Sequence, residues 1–369
     1  MTRSYSNNSR RQFLAAAAGM GAATLLAADP LFAADIDPRV AHIVSSSITV
    51  DMHNHIAVPY TRHPTATQSD PAIELAAEMN RAGFCAICQT FSPDDLYTAE
   101  VGEMNTYVLH GLEYEDRLLA RNRMRRALNM KDLHTAHERG EPIIIQAVEG
   151  SIFIEGHLER LEAAYRRGLR VAQPVHTVDD LVAPLADIYT QPAHLGGLTP
   201  AGVEFIKECN RLGIVVDLSH ASSQAVEAAL RISTQPMLYS HTAMLRTAAS
   251  RPGTQMGRDE ARMIVEAGGV LGAWWRVATS VEEYVDAIKT LVDAAGIDHV
   301  GIGTDSVLAQ PNPIFNLPST NDLWEDQHGG FFYVVAGEML KRGFSPEEIA
   351  KIGGGNFCRV FAAVTEGRA

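Results

Sequence analysis

His53 and His55 close the run ITVDMHNH, residues 48–55, with one residue between them. Alternate residues of a strand share a face, so both imidazoles aim the same way at the strand's end. Imidazoles side by side on one face are metal ligands by chemistry. Five further ligand-type residues close later apolar runs: Glu149, His176, His220, His241 and Asp305. A lone histidine is more often a packed one that bonds a backbone carbonyl. Seven such residues at corresponding places point to a metal centre. Imidazole and carboxylate donors without clustered thiolates suit zinc, with manganese or iron as alternatives. The ligands are too many for one catalytic zinc, which takes three protein groups and a water. Two metals with a shared carboxylate account for them, and Glu149, with two oxygens, is the natural bridge.

The elements that must position these residues are legible as apolar runs. Strands are predicted over 47–55, 84–91, 142–150, 169–176, 213–220, 237–242, 268–275 and 299–305. Most are continuously hydrophobic, the mark of strands buried on both faces. Helical segments alternate with them. TPAGVEFIKECNRLG (199–213) opens on a Thr-Pro cap and stops at Gly213, and 222–233, 258–269 and 280–296 follow the same grammar. Eight strands alternating with helices predict a (β/α)8 TIM barrel in a single domain, whose active site rings the C-terminal strand ends. A doubly wound open sheet is the alternative, but the first strand is followed by no Gly-rich phosphate turn.

The chain of 369 residues is 46% hydrophobic and 20% charged, a globular balance. Its formal net charge of −13 argues against nucleic acid or an anionic membrane surface as partner. Cys85 and Cys88 form C-x-x-C inside an apolar run with no second pair, and read as small core residues. Arg10 and Arg11, followed by FLAAAAGMGAATLLAA, have the layout of a twin-arginine export signal. Residues 1–33 are therefore expected to be removed, and 34–369 to form the barrel domain, periplasmic or secreted. An uncleaved anchor is the alternative, though the apolar stretch is short for a span. Trp274 and Trp275, ending the seventh strand, read as rim packing or as pocket lining.

The stretches DMHNH with the following VP, VEG, VHT, VVDLSHAS, YSHT, HVGIGTD and LKRGFSPEEIAKIGGGNFCRVF resemble the membrane dipeptidase (renal dipeptidase, peptidase M19) family of amidohydrolase-like barrels, over essentially the whole mature chain. The resemblance implies hydrolysis of dipeptides by a hydroxide bridging two Zn2+, with C-terminal D-residues among the substrates. It places His53 and His55 on the first metal, Glu149 as bridge, and His220 and His241 on the second. His176 would polarise the scissile carbonyl. Asp305, beside the metals and counted with their ligands, would carry the proton from water to leaving amine. Two departures stand out. The family's first motif is usually His-x-Asp, where this chain has His55. The family's carboxylate-gripping Arg falls on Pro252, so Arg251, or else Arg246 or Arg258, would bind the substrate's carboxylate. The loop after the eighth strand, TDSVLAQPNP, also differs from the family's usual sequence. An amidase acting on another small amide, and a metal-dependent binding protein without catalysis, are the competing functions. The dipeptide and the export machinery are the expected partners, and a homodimer is left open.

Overall fold

The computed structural model describes residues 36–56, 58, 72–96, 100–177, 182–244, 255–308 and 317–366. The export signal, and Arg246, Arg251 and Pro252, lie outside the described residues. Residues 38–369 form one compact unit. Among the described residues no helix is long and apolar enough to cross a membrane.

The fold is the (β/α)8 barrel predicted. Its strands are β1 (Val50–His55), β2 (Ala86–Phe91), β3 (Ile143–Val148), β4 (Leu169–Ala172), β5 (Val215–Val216), β6 (Leu238–Thr242), β7 (Val270–Ala273) and β8 (Val300–Ile302). All pair in parallel in the order β5-β4-β3-β2-β1-β8-β7-β6. A bridge between Asp217 and Leu238 closes β5 onto β6. A short β9 (Ser306–Val307) continues from β8 and pairs with the far half of β1. Every strand residue is buried, which is why these segments read as unbroken apolar runs.

The helices between strands obey local capping chemistry. Thr199 caps helix Pro200–Leu212 by accepting from Gly202 N–H, and Gly213 ends it in the left-handed conformation. Ser222 and Ser280 cap Ser223–Ile232 and Val281–Ala295 in the same manner. The final helix, Asn356–Thr365, gives Phe357, Val360, Phe361 and Val364 to one apolar cluster with Val50, Met52, Ala86, Cys88, Ile145, Val171, Val215, Leu238 and Val270. Cys88 is thus a core residue, and burial pushes its thiol well up. The chain enters that helix through Gly354, where a Cβ would stand 2.1 Å from the Ile48 carbonyl oxygen.

The two seams with the fewest strand pairs are each pinned by a buried aspartate. Asp51 joins β1 to β8, accepting from Thr304 N (2.9 Å), Thr304 Oγ1 (2.6 Å), Asn54 Nδ2 (3.0 Å) and His53 N (3.2 Å). Asp217 joins β5 to β6, accepting from Ser240 N (2.9 Å), Ser219 N (3.1 Å) and Gln173 Nε2 (2.8 Å). Each carboxylate stands two or three positions before a histidine of the site, so the device that closes the barrel also fixes those histidines.

Candidate metal centre

The register of β1 against β2 slips between Asp51 and Asn54. Val50 and Met52 join the apolar cluster, yet His53 and His55 also face the centre of the barrel mouth. A slip of one position reverses the facing of the residues beyond it, and here it turns both histidines inward. Between β6 and β7 a similar slip lies between Tyr239 and Thr242. There Ser240 and His241, consecutive residues, meet at one point: Ser240 Oγ is 3.0 Å from His241 Nδ1.

Two groups of donor atoms result, His53–His55–Glu149 and Glu149–His220–His241, with the atoms of each within 4.8 Å of one another. Glu149 belongs to both. Its Oε1 lies 3.5 Å from His53 Nε2, 3.0 Å from His220 Nε2 and 3.8 Å from His241 Nε2. Its Oε2 lies 3.5 Å from His55 Nε2. The paired imidazoles approach through Nε2, at 3.3 Å for His53–His55 and 2.9 Å for His220–His241. Ligands about 2.0–2.2 Å from a tetrahedral metal stand about 3.3–3.6 Å apart, so the spacings bracket the edges of such a shell. Each group offers three donors that could hold a metal ion, and Glu149 is common to both.

The surroundings hold the ring nitrogens in the orientation that ligation needs. Ser240 Oγ contacts His53 Nδ1 (3.3 Å) as well as His241 Nδ1, so one hydroxyl orients a histidine of each group. Ser92 donates to Glu149 Oε2 at 2.8 Å. Burial would raise the Glu149 carboxyl, but His176, His53 and His55 hold it well below the usual range. Burial opposes charge on His53, and the carboxylate of Glu149 nonetheless lifts it to about 9. Burial pushes His220 down and His241 well down, which keeps these rings neutral and able to ligate.

Asp305 and His176 flank the groups. Asp305 Oδ1 is 2.9 Å from His55 Nε2, beside the first group and outside both triads. Its Oδ2 accepts from Trp274 Nε1 at 2.7 Å, and its carbonyl oxygen accepts from Trp275 Nε1 at 3.1 Å. The two tryptophans therefore clamp Asp305, a role neither rim packing nor pocket lining describes. Burial would raise Asp305, but its bond with His55 and the nearby His241 hold it well below the ordinary carboxylate range. His176 Nε2 lies 3.5 Å from Glu149 Oε2, and its Nδ1 meets Asp94 Oδ1 at 2.8 Å. Asp94 also accepts from Thr177 N and Oγ1. His220 and Asp305 both have left-handed backbone, at φ 69° and 56°. Positive φ is uncommon for residues other than glycine, and such conformations cluster at functional sites.

Sequence reasoning passed over Ser92, Asp94, Asp217 and Ser240. It assigned no chemical residue to the end of the second strand, where Ser92 and Asp94 stand, although the rule applied at other strand ends would have found them. Of the candidate carboxylate binders, Arg258 is exposed in the first turn of helix Arg258–Glu266.

The membrane dipeptidase family (peptidase family M19) matches residues 38–369. A dipeptidase of Claviceps purpurea is 28% identical over 253 residues, and one of Aspergillus oryzae 27% over 251. Those alignments cover 66% and 64% of this chain and 56% of each relative, so the match spans little more than half the relatives' length. Among solved structures, a probable dipeptidase of Pseudomonas aeruginosa superposes with TM-score 0.73 at 19% identity, covering 89% of this chain and 98% of that one. A metallopeptidase of Rhodobacter sphaeroides, liganded with a phosphinate mimic of L-Ala-D-Ala, gives 0.65 at 21%, covering 86% and 99%. At these identities the likeness is one of fold.

Proposed function

The chain belongs to the membrane dipeptidase family, peptidase family M19, and from that premise we propose that it hydrolyses the peptide bond of dipeptides in a reaction dependent on two divalent metals, zinc by choice of ligands. The observation that carries this reading is one buried carboxylate, Glu149, set between two histidine pairs. Bound there, two cations would acidify a water and polarise a carbonyl oxygen.

The chain's own residues supply the rest. His53, His55 and Glu149 would hold one cation, and Glu149, His220 and His241 the other. Asp305 is ionised at the start, because its neighbours hold its carboxyl low. It takes a proton from the attacking water and delivers it to the leaving amine. The Trp274 bond to Oδ2 and the His55 contact at Oδ1 keep that carboxylate in one place while it does so. His176 faces Asp94 through Nδ1 and the centre through Nε2. A ring with a carboxylate on each side can donate from Nε2 to the oxygen that gains charge. Water is the nucleophile, and neither Ser92 nor Ser240 needs to attack, since both hydroxyls are engaged in orienting ligands.

Support for a substrate with a C-terminal D-residue comes from the Rhodobacter sphaeroides relative, which carries a mimic of one. The test is hydrolysis of a panel of L-L and L-D dipeptides by purified protein loaded with zinc. Turnover of free dipeptides is expected. No turnover with both cations bound would overturn the reading and move the search to other small amides. We also propose export by the twin-arginine route. Its support is the Arg10–Arg11 pair and the apolar stretch after it. Replacing both arginines with lysine should leave the protein in the cytoplasmic fraction, and unchanged periplasmic recovery would count against that route.

A further inference from the structure

Asp305 Oδ1 is 2.9 Å from a donor atom of the first group, His55 Nε2, yet Asp305 belongs to neither group. Carboxylate oxygens are themselves zinc ligands, so a carboxylate at this place can serve as one unless something holds it off. Its main chain is tied at both ends. Asp305 N donates to the His53 carbonyl oxygen at 2.9 Å, and the Asp305 carbonyl oxygen accepts from Trp275 Nε1 at 3.1 Å. Between those ties the backbone is left-handed, at φ 56°. The side chain is tied as well. Trp274 Nε1 donates to Oδ2 at 2.7 Å, and Arg276 Nε lies 3.8 Å from the same oxygen. Trp274 is in turn anchored, since its N donates at 3.0 Å to the carbonyl oxygen of Thr242, the residue after His241.

We propose that the Trp274 N–H holds Asp305 out of the ligand set and reserves Oδ1 as the oxygen that carries the proton. This rests on the dipeptidase reading and makes Trp274 a positioning residue. An indole N–H only donates. It can hold an anionic oxygen, but it can neither take the proton nor pass it on. Oδ2 is therefore engaged, and Oδ1 is the oxygen turned to the donor groups. A hydrogen bond to a charged oxygen is of the stronger kind, so one indole can keep the carboxylate from rotating about its last bond. A carboxylate that ligates a cation is a weaker base, because the positive charge favours its ionised form. A proton carrier therefore works from beside the ligands. The proton balance is closed: a water O–H bond breaks as Oδ1–H forms, then Oδ1–H breaks as the N–H of the leaving amine forms, and Asp305 ends ionised.

The variant that isolates this bond is Trp274→Phe, which keeps an aromatic ring and removes the N–H. Calorimetry on metal-free protein gives its zinc affinity, and hydrolysis of L-Ala-L-Ala by zinc-loaded protein gives kcat and KM. In Trp274→Phe zinc should bind about 10-fold tighter as the freed carboxylate joins the ligands, the scale on which outer-shell partners act. At the same time kcat should fall about 10- to 100-fold with KM little changed, the worth of a hydrogen bond to a charged group. In an Asp305→Asn background the same substitution should cost no further kcat, because Trp274 acts through Asp305. Zinc affinity that stays the same or weakens, or a kcat loss of equal size in both backgrounds, would overturn the assignment. If wild type binds two zinc ions and cleaves no dipeptide, the dipeptidase reading fails on its own. Trp274 is then judged by the zinc affinities and by indole N–H NMR of metal-free protein. The resonance missing from Trp274→Phe should shift in Asp305→Ala, and an unmoved resonance would mean that the two residues are not bonded.

Discussion

Glu149 links the two histidine pairs, and its removal should be felt at both. Glu149→Gln keeps the shape but removes the charge that two cations would share. Metal content by elemental analysis should drop from two equivalents to one or fewer, and retention of two would deny the bridging role. Asp305→Asn should behave differently. Its amide can still meet the Trp274 N–H through oxygen, so metal content should stay near two while kcat falls about 10²- to 10⁴-fold, the usual worth of a positioned acid–base group. His55→Asp restores an anion where the chain has a neutral ligand. It should retain metal and lower the acidity of the bound water, shifting the acid-side limb of the rate profile upward in pH. The residues of the two donor groups were legible because their chemistry is local: His and Glu at strand ends announce themselves. Ser240 was not, since a serine in YSHT has many ordinary uses. Its role appears only when β1 and β6 bring two rings to one hydroxyl.

Many strands and helices were legible from apolar runs and caps, and each predicted segment encloses an observed strand or helix. The slips in β1 and β6 were not, because a one-residue shift leaves composition unchanged. The aspartate seams were equally hidden: Asp51 and Asp217 look like polar punctuation, yet each collects several donors across a strand gap. Asp217→Ala would strand the N–H groups of Ser219 and Ser240 in the interior. A buried donor left without a partner costs about 1–3 kcal/mol, so a loss of about 3 kcal/mol is expected by denaturant unfolding. Binding at His220 and His241 should weaken with it. A loss within about 0.5 kcal/mol, the ordinary range for a surface substitution, would mean the seam is held elsewhere. A second buried carboxyl gives a pH effect away from the metals. Glu115, in helix Glu103–Asn122, is fully buried, and burial raises its carboxyl to about 8. The folded protein therefore holds this proton while the unfolded chain, near 4.5, releases it. Stability is highest below the unfolded value, falls as pH rises from about 4.5 to about 8, and then levels. Glu115→Gln should flatten this slope and gain on the order of 3 kcal/mol at about pH 8, read from unfolding across that range. A slope identical to wild type would show that Glu115 is ionised in the fold.

For the molecule as a whole, a parallel barrel explains why residues scattered from 53 to 305 converge on one mouth. Every strand runs the same way, so every strand end faces the same side. That convergence was the most legible feature of the sequence, because it needs only the order of strands. The substrate-facing surface was less so, since loops carry specificity and are free to vary. Arg276, in the turn Trp275–Val277 after β7, carries no motif of its own, and only the barrel places its Nε 3.8 Å from Asp305 Oδ2. The measurement that bears most directly on the central claim is a zinc titration of metal-free protein, following bound metal and dipeptide hydrolysis together. Activity should rise with added zinc and reach its plateau at two bound equivalents. Full turnover in the metal-free protein, or a plateau at a single equivalent, would contradict a centre built around Glu149.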